Sequence, residues 1–211
     1  MPVIRRYYQK PTIMNRLFLV SILLLGLAIS AFRLPLAGIS QTDGPGPGKK
    51  RINWMTVEQA YVATQKKPKK LVVDVYTSWC GWCKVMDRET FSKPAIIDYV
   101  NENYYAVKLN AEQTADITLG KQTFKYRGTA SGRGAHELAA MLMKNQMSYP
   151  TTVFLDEKFN LIQPIAGYLE PRTFHQIVTY FGQNYYQKEP FDQYKIGTYK
   201  SEFGGSLTAG K

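Results

Sequence analysis

The chain has 211 residues, 45% of them hydrophobic and 13% aromatic, enough apolar mass for one sizeable core, and it shows no internal repeat. Its formal charge is +11, but residues 1–40 hold five of the basic side chains and no acidic one, which leaves 22 basic against 16 acidic in the remainder. That excess of six is spread out, with Lys66-Lys67-Pro68-Lys69-Lys70 as its one dense run, and it argues against a nucleic-acid surface.

From the N-terminus, Arg5, Arg6, Lys10 and Arg16 precede an uncharged run of 16 residues, Leu17 to Phe32, which Arg33 ends. A membrane-spanning helix needs about 20 apolar residues, so residues 1–40 read as a secretory signal peptide, or as a retained N-terminal membrane anchor. Ala28 and Ser30, or Gly38 and Ser40, offer cleavage positions, and Met14 is an alternative start. Either reading places the rest of the chain in the periplasm or on the periplasmic side of the inner membrane. Residues 41–53, with Asp43-Gly44-Pro45-Gly46-Pro47-Gly48, have the composition of a linker.

The folded domain is expected over 54–183. Thr56 to Thr64 reads as a helix and the β-branched run Leu71 to Tyr76 as a central strand. Cys80 to Asn103 is largely helical with a break at Lys93-Pro94, and Ala106 to Asn110 returns as a strand. Alternation around Gly120-Lys121 predicts a β-hairpin over Asp116 to Arg127, either an added edge shaping a groove or an extension of the sheet. His136 to Met147 reads as a helix with an apolar stripe that includes Leu138, Ala139, Leu142 and Met143. Val153 to Asp156 and Leu161 to Ala166 form a second hairpin, and Pro171 to Phe181 the closing helix. The extension 184–211 is rich in Tyr, Lys and Phe; one more helix is expected from about Pro190, and Gly204 to Lys211 should fray.

The chemistry concentrates in Trp79-Cys80-Gly81-Trp82-Cys83-Lys84, which holds both cysteines at a strand-to-helix junction. Unpaired N–H groups and the dipole at a helix N-terminus favour an anion, so the Cys80 thiolate is stabilised and Cys80 is the expected nucleophile. Cys83, three positions on in the first helical turn, lies on the same side and is the expected resolving thiol. Two other readings stand beside redox exchange. A structural clip over so short a loop removes little unfolded-state entropy. Zinc needs about four ligands, and the other soft candidates, His136 and His175, have no finger spacing. Both histidines read as structural or exposed, and Met141, Met143 and Met147 as core or contact surface rather than a copper site.

Residues from about Trp54 to Phe181 resemble the thioredoxin-like superfamily, and the motif resembles the CGWC-Lys subgroup of bacterial envelope thioredoxin-like proteins. Besides the dithiol, the resemblance is carried by Asp74, six residues before Cys80; by Tyr149-Pro150-Thr151 ahead of the strand Val153-Phe154-Leu155; and by Gly167 before the last helix. It implies an α/β fold with a central mixed sheet flanked by helices, here with an inserted hairpin and a C-terminal helical extension.

The resemblance also implies roles: Asp74 as a buried acid that relays the proton of Cys83, and Pro150 as a cis-proline that positions substrate backbone, with Tyr149 and Thr151 beside it. Trp79, Gly81 and Trp82 would complete the substrate-contacting surface. The implied activity is thiol-disulfide exchange, most simply disulfide reduction, on protein or small-molecule disulfides. It needs no cofactor and no metal, and it draws electrons from a membrane thiol carrier. Because Trp82 stands where thioredoxin has proline, the redox potential does not carry over. A binding module or a dedicated maturation factor with few partners are the alternative functions.

Overall fold

The computed structural model describes residues 50–128 and 134–204, which belong to one compact unit. The expected signal or anchor over 1–40, the linker as far as residue 49, the alternative start at Met14 and the frayed end from 205 on lie outside the described residues. Among the described residues no helix is long and apolar enough to cross a membrane.

The elements in chain order begin with β1 (Trp54–Met55) and α1 (Val57–Lys66). Thr56 starts α1 through a capping box, its hydroxyl accepting from the Gln59 N–H while the Gln59 side chain accepts from the Thr56 N–H. β2 (Lys70–Tyr76) follows, then α2 (Gly81–Glu89), α3 (Pro94–Asn103) with proline in its first turn, and β3 (Tyr104–Asn110). A hairpin, β4 (Ile117–Leu119) and β5 (Gln122–Phe124), is followed by two short paired strands, β6 (Tyr126–Arg127) and β7 (Ala135–His136). After these come α4 (Glu137–Leu142), β8 (Thr151–Leu155), β9 (Leu161–Ala166) and α5 (Pro171–Gly182). A 3-10 turn at Tyr185–Gln187, α6 (Phe191–Ile196) and α7 (Thr198–Phe203) end the described chain.

Five strands form one mixed sheet in the order β1-β3-β2-β8-β9, parallel from β1 to β2 and antiparallel from β2 to β9. β2 is central, and its residues from Lys70 to Val75 are buried, as the near-continuous apolar run requires. Its alternate residues feed two cores. Val72 joins Ala106, Phe154 and Met86 under α2, α3 and α5. Leu71, Val73 and Val75 join Val107, Leu109 and Leu155 against α1, α4 and the β4–β5 hairpin. This is the thioredoxin-like α/β architecture that the sequence predicts.

The hairpin at 116–127 is present, but it forms its own two-stranded sheet instead of extending the main one. Its tip rests on α1, where a Cβ added at Gly120 would stand 2.8 Å from the Tyr61 hydroxyl. Two other expectations need correction. The helix expected over His136 to Met147 covers Glu137–Leu142 alone, because His136 is extended, pairs with Tyr126 and caps the helix. Lys144 and Asn145 then take positive φ and turn the chain away. The tail carries two short helices rather than one, interrupted at Gly197, where φ is −103° and ψ is −92°. The edges of the main sheet are the two-residue β1 and β9, which carries Pro164.

Candidate active site

β2 runs straight into the dithiol motif. Cys80 is the N-cap of α2 and Cys83 lies in its first turn; the two are joined by a disulfide with Cα atoms 5.3 Å apart. The Cys80 N–H donates to the Thr77 carbonyl at 3.2 Å, and the Cys83 N–H donates to Cys80 Sγ at 3.0 Å. The Cys80 sulfur therefore receives an N–H of the first turn, where negative charge is favoured. Both cysteines are buried, at 4% and 3% exposure, while the flanking Trp79 and Trp82 are exposed at 57% and 60%.

Each tryptophan meets a tyrosine from another element. The Trp79 ring stands edge-on to Tyr149 at 5.9 Å, and its Nε1–H donates to both Glu112 carboxylate oxygens at 2.9 and 3.0 Å. Trp82 meets Tyr168 at 5.3 Å. Gly81, between Cys80 and Trp82, has nothing within 4 Å of a Cβ built on it.

The Tyr149–Pro150 peptide bond is cis. Thr151 pairs with Val75 near the end of β2, so the Tyr149-Pro150 loop lies at the same end of the sheet as the motif. The Pro150 carbonyl accepts from the Gly167 N–H at 2.8 Å, and the Thr151 hydroxyl donates to the Ser148 carbonyl at 2.7 Å. Gly167 has φ +95°, a conformation that suits glycine, and from there the chain turns toward Tyr168.

Asp74 lies on the Val72 face of β2, beneath α2, and is 1% exposed. Its register partner on β3 is Lys108, whose Nζ is 2.6 Å from Asp74 Oδ2 and also bonds Asp87, one turn after Cys83 on α2. Burial raises the Asp74 pKa above the usual carboxylate range; the Lys108 charge opposes that rise and Asp87 adds to it. Burial alone would lower the Lys108 pKa, but the two carboxylates outweigh it and hold the ammonium protonated. The rings of Trp54, Tyr76 and Phe91 surround the ammonium at 4.9 to 5.3 Å. Asp74 is thus a buried acid that meets a lysine.

The histidines lie elsewhere, and both are buried. His136 Nδ1 accepts from the Leu138 N–H at 3.3 Å, which makes the ring a helix cap. His175 sits on α5 against the C-terminal extension. Met143 is core, and Met141 and Met147 are exposed. Among the described residues no three His, Cys, Asp or Glu side chains are grouped to hold a metal ion.

A family model, Thioredox_DsbH, described as a protein of unknown function, DUF255, matches residues 48–189. The chain belongs to this family. Among curated proteins, this Thioredox_DsbH member is 31% identical over 77 residues to spermatogenesis-associated protein 20 of Rattus norvegicus, covering 36% of the chain and 10% of the relative. It is 27% identical over 85 residues to uncharacterized protein B0495.5 of Caenorhabditis elegans, covering 40% of the chain and 11% of the relative. The chain spans about a tenth of the length of these relatives. Similar solved structures include a DsbH oxidoreductase, 13% identical with a TM-score of 0.44 over 68% of this chain and 92% of that one. A thioredoxin-fold protein from Helicobacter pylori is 14% identical, with a TM-score of 0.48 over 72% and 99%.

In this Thioredox_DsbH chain the structure brings Cys80, Cys83, Trp79, Trp82 and the Tyr149-Pro150-Thr151 loop to one end of the sheet, with Asp74 beneath α2. Sequence reasoning missed Lys108, Glu112 and Tyr168. Lys108 is the one lysine in the apolar run Tyr104 to Leu109, a signal that a buried acid waits on the neighbouring strand. Glu112 and Tyr168 carry no local signal; tertiary contact alone joins them to the tryptophans.

Proposed function

We propose that this protein is a thiol-disulfide oxidoreductase of the cell envelope that works as a disulfide reductase. One observation carries the reading: the Cys80–Cys83 disulfide caps α2 while a buried carboxylate, Asp74, lies beneath that helix. In the reduced protein the Cys80 thiolate attacks a substrate disulfide, forming a mixed disulfide and releasing one substrate thiolate. Asp74 takes the proton of Cys83. The Cys83 thiolate then attacks Cys80 Sγ, the bond from Cys80 to substrate breaks, and the second substrate thiolate leaves and is protonated. Two electrons pass from the dithiol to the substrate.

Trp79, Trp82, Tyr149 and Tyr168 form an aromatic rim that contacts the substrate beside its disulfide, and the Pro150 loop orients its backbone. The apolar run at Leu17 to Phe32 delivers the domain to the periplasm or anchors it there. In that compartment a membrane-embedded thiol carrier is the natural electron donor, and no cofactor beyond the cysteines is required.

A Cys83→Ala variant tests the reading. Mixed disulfides through Cys80 should accumulate in envelope extracts, and their absence would leave a binding module in its place. The equilibrium potential of the pair decides direction: a value near thioredoxin's, about −270 mV, fits a reductant, and one near −120 mV an oxidant.

A further inference from the structure

Among the described residues, buried side-chain atoms without a hydrogen-bond partner include Asp74 Oδ1 and Thr152 Oγ1. These two residues are directly opposed on β2 and β8, and Lys108 is the partner of Asp74 on its other side, on β3. Opposed residues of neighbouring strands point to the same face, here the face of Val72, Ala106 and Phe154. Lys108, Asp74 and Thr152 thus form a polar row across three strands inside an apolar layer. A buried hydroxyl left unpaired costs about 1–3 kcal/mol, which valine, of the same shape, would avoid.

We propose that Thr152 is a positioning residue for Asp74: its hydroxyl serves Oδ1, directly or through one water, while Lys108 holds Oδ2, so that Oδ1 is the oxygen that takes the proton. The part of this that concerns Cys83 rests on the function proposed above. Lys108 Nζ, 2.6 Å from Oδ2, favours negative charge on that oxygen and leaves the proton to the other. A lysine can only donate, whereas a hydroxyl both donates and accepts. Thr152 therefore donates to the carboxylate and accepts from the acid, following the proton without leaving its place. Opposed Cβ atoms lie about 4.5–5.5 Å apart, a gap that a turning hydroxyl or one water spans.

In the resolving step the Cys83 S–H proton passes to Oδ1, and the Cys83 sulfur bonds Cys80 Sγ. The bond from Cys80 to substrate breaks with its electron pair, and the departing thiolate is protonated by Asp74 or solvent. The charged groups around Asp74 are Lys108 from β3 and Asp87 from α2, with the Cys83 thiol added on reduction; β8 contributes the Thr152 hydroxyl.

The experiment uses the full chain and two variants, Thr152→Val and Thr152→Ser. The Asp74 carboxyl is titrated by carbon NMR, and the rate of mixed-disulfide resolution is followed against pH. Valine should move the Asp74 midpoint up, by as much as about one pH unit, because the charge-assisted bond the carboxylate loses is stronger than the one the neutral acid loses, and the resolution profile should shift with it. Serine should restore both. An unchanged midpoint in the valine variant, or a serine variant that behaves like valine, overturns the proposal. A shifted midpoint with an unmoved resolution profile overturns the assignment of Oδ1 as proton acceptor. The titration needs no turnover, so a protein that never exchanges disulfides would sink the proposed function while the carboxyl titration still decides the role of Thr152.

Discussion

His175 Nδ1 and the Tyr199 hydroxyl lie 3.0 Å apart, both residues are buried, and the contact joins α5 to the last helix of the described chain. The rings of Tyr99, Tyr199 and Phe203 enclose the imidazole at 5.6, 5.7 and 5.8 Å. Burial pushes the His175 pKa down to about 4. In the unfolded chain it titrates near 6.5, so between those values the unfolded state binds more protons. The stability contributed by the neutral ring is complete above about pH 6.5 and is lost as pH falls toward 4, by up to about 3 kcal/mol. His175→Gln should remove this loss. Urea unfolding at several pH values should show the variant gaining on the wild type with acid; parallel curves would contradict the account.

Asp74 acts in the opposite sense. Its raised pKa means that the folded state holds a proton the unfolded state has released, so its favourable contribution is complete below about pH 3.9 and is lost as pH rises through the folded value. Asp74→Asn should remove a slope of at most about 1.4 kcal/mol per pH unit. The stability of the wild type relative to the variant should rise on acidification through the folded-state midpoint and level off below about pH 3.9. A constant difference would mean that Asp74 is not a buried, perturbed acid.

Such opposed titrations cannot be read along a chain, because each depends on what tertiary structure places around the group. What could be read was local. The helix opening at Thr56, the β-branched run of β2 and the prolines at the starts of α3 and α5 each act within a few residues. The same holds for the cysteine pair at a helix start. Thr152 and Lys108 acquire meaning through strand register. His136 falls one residue before α4, and composition does not distinguish a cap from a first turn. The end of α4 depends on positive φ at Lys144 and Asn145, which neither residue type announces.

Gly167 and Gly81 separate strain from space. A Cβ meets nothing within 4 Å at either position, but Gly167 has φ +95°. Gly167→Ala should cost about 1–3 kcal/mol from backbone strain alone. Gly81→Ala, in the first turn of α2, should instead be neutral or stabilise by about 0.4–1 kcal/mol. Equal losses in denaturant unfolding would rule out this distinction.

Tyr194 anchors the C-terminal extension. It is fully buried, and its hydroxyl donates to Thr179 Oγ1 at 2.7 Å. Tyr194→Phe should cost about 1 kcal/mol for the hydrogen bond, and Tyr194→Ala about 3–5 kcal/mol for the cavity. If the alanine variant unfolds at the wild-type midpoint, the extension is not part of the cooperative core.

The borders of the five-stranded sheet bear on how copies of this protein meet. β1 offers two residues, too short a template for another strand, and Pro164 removes an N–H from β9. Neither border presents the long row of free donors and acceptors through which sheets join edge to edge. Among the described residues, the five-stranded sheet is thereby a poor template for a second copy of itself.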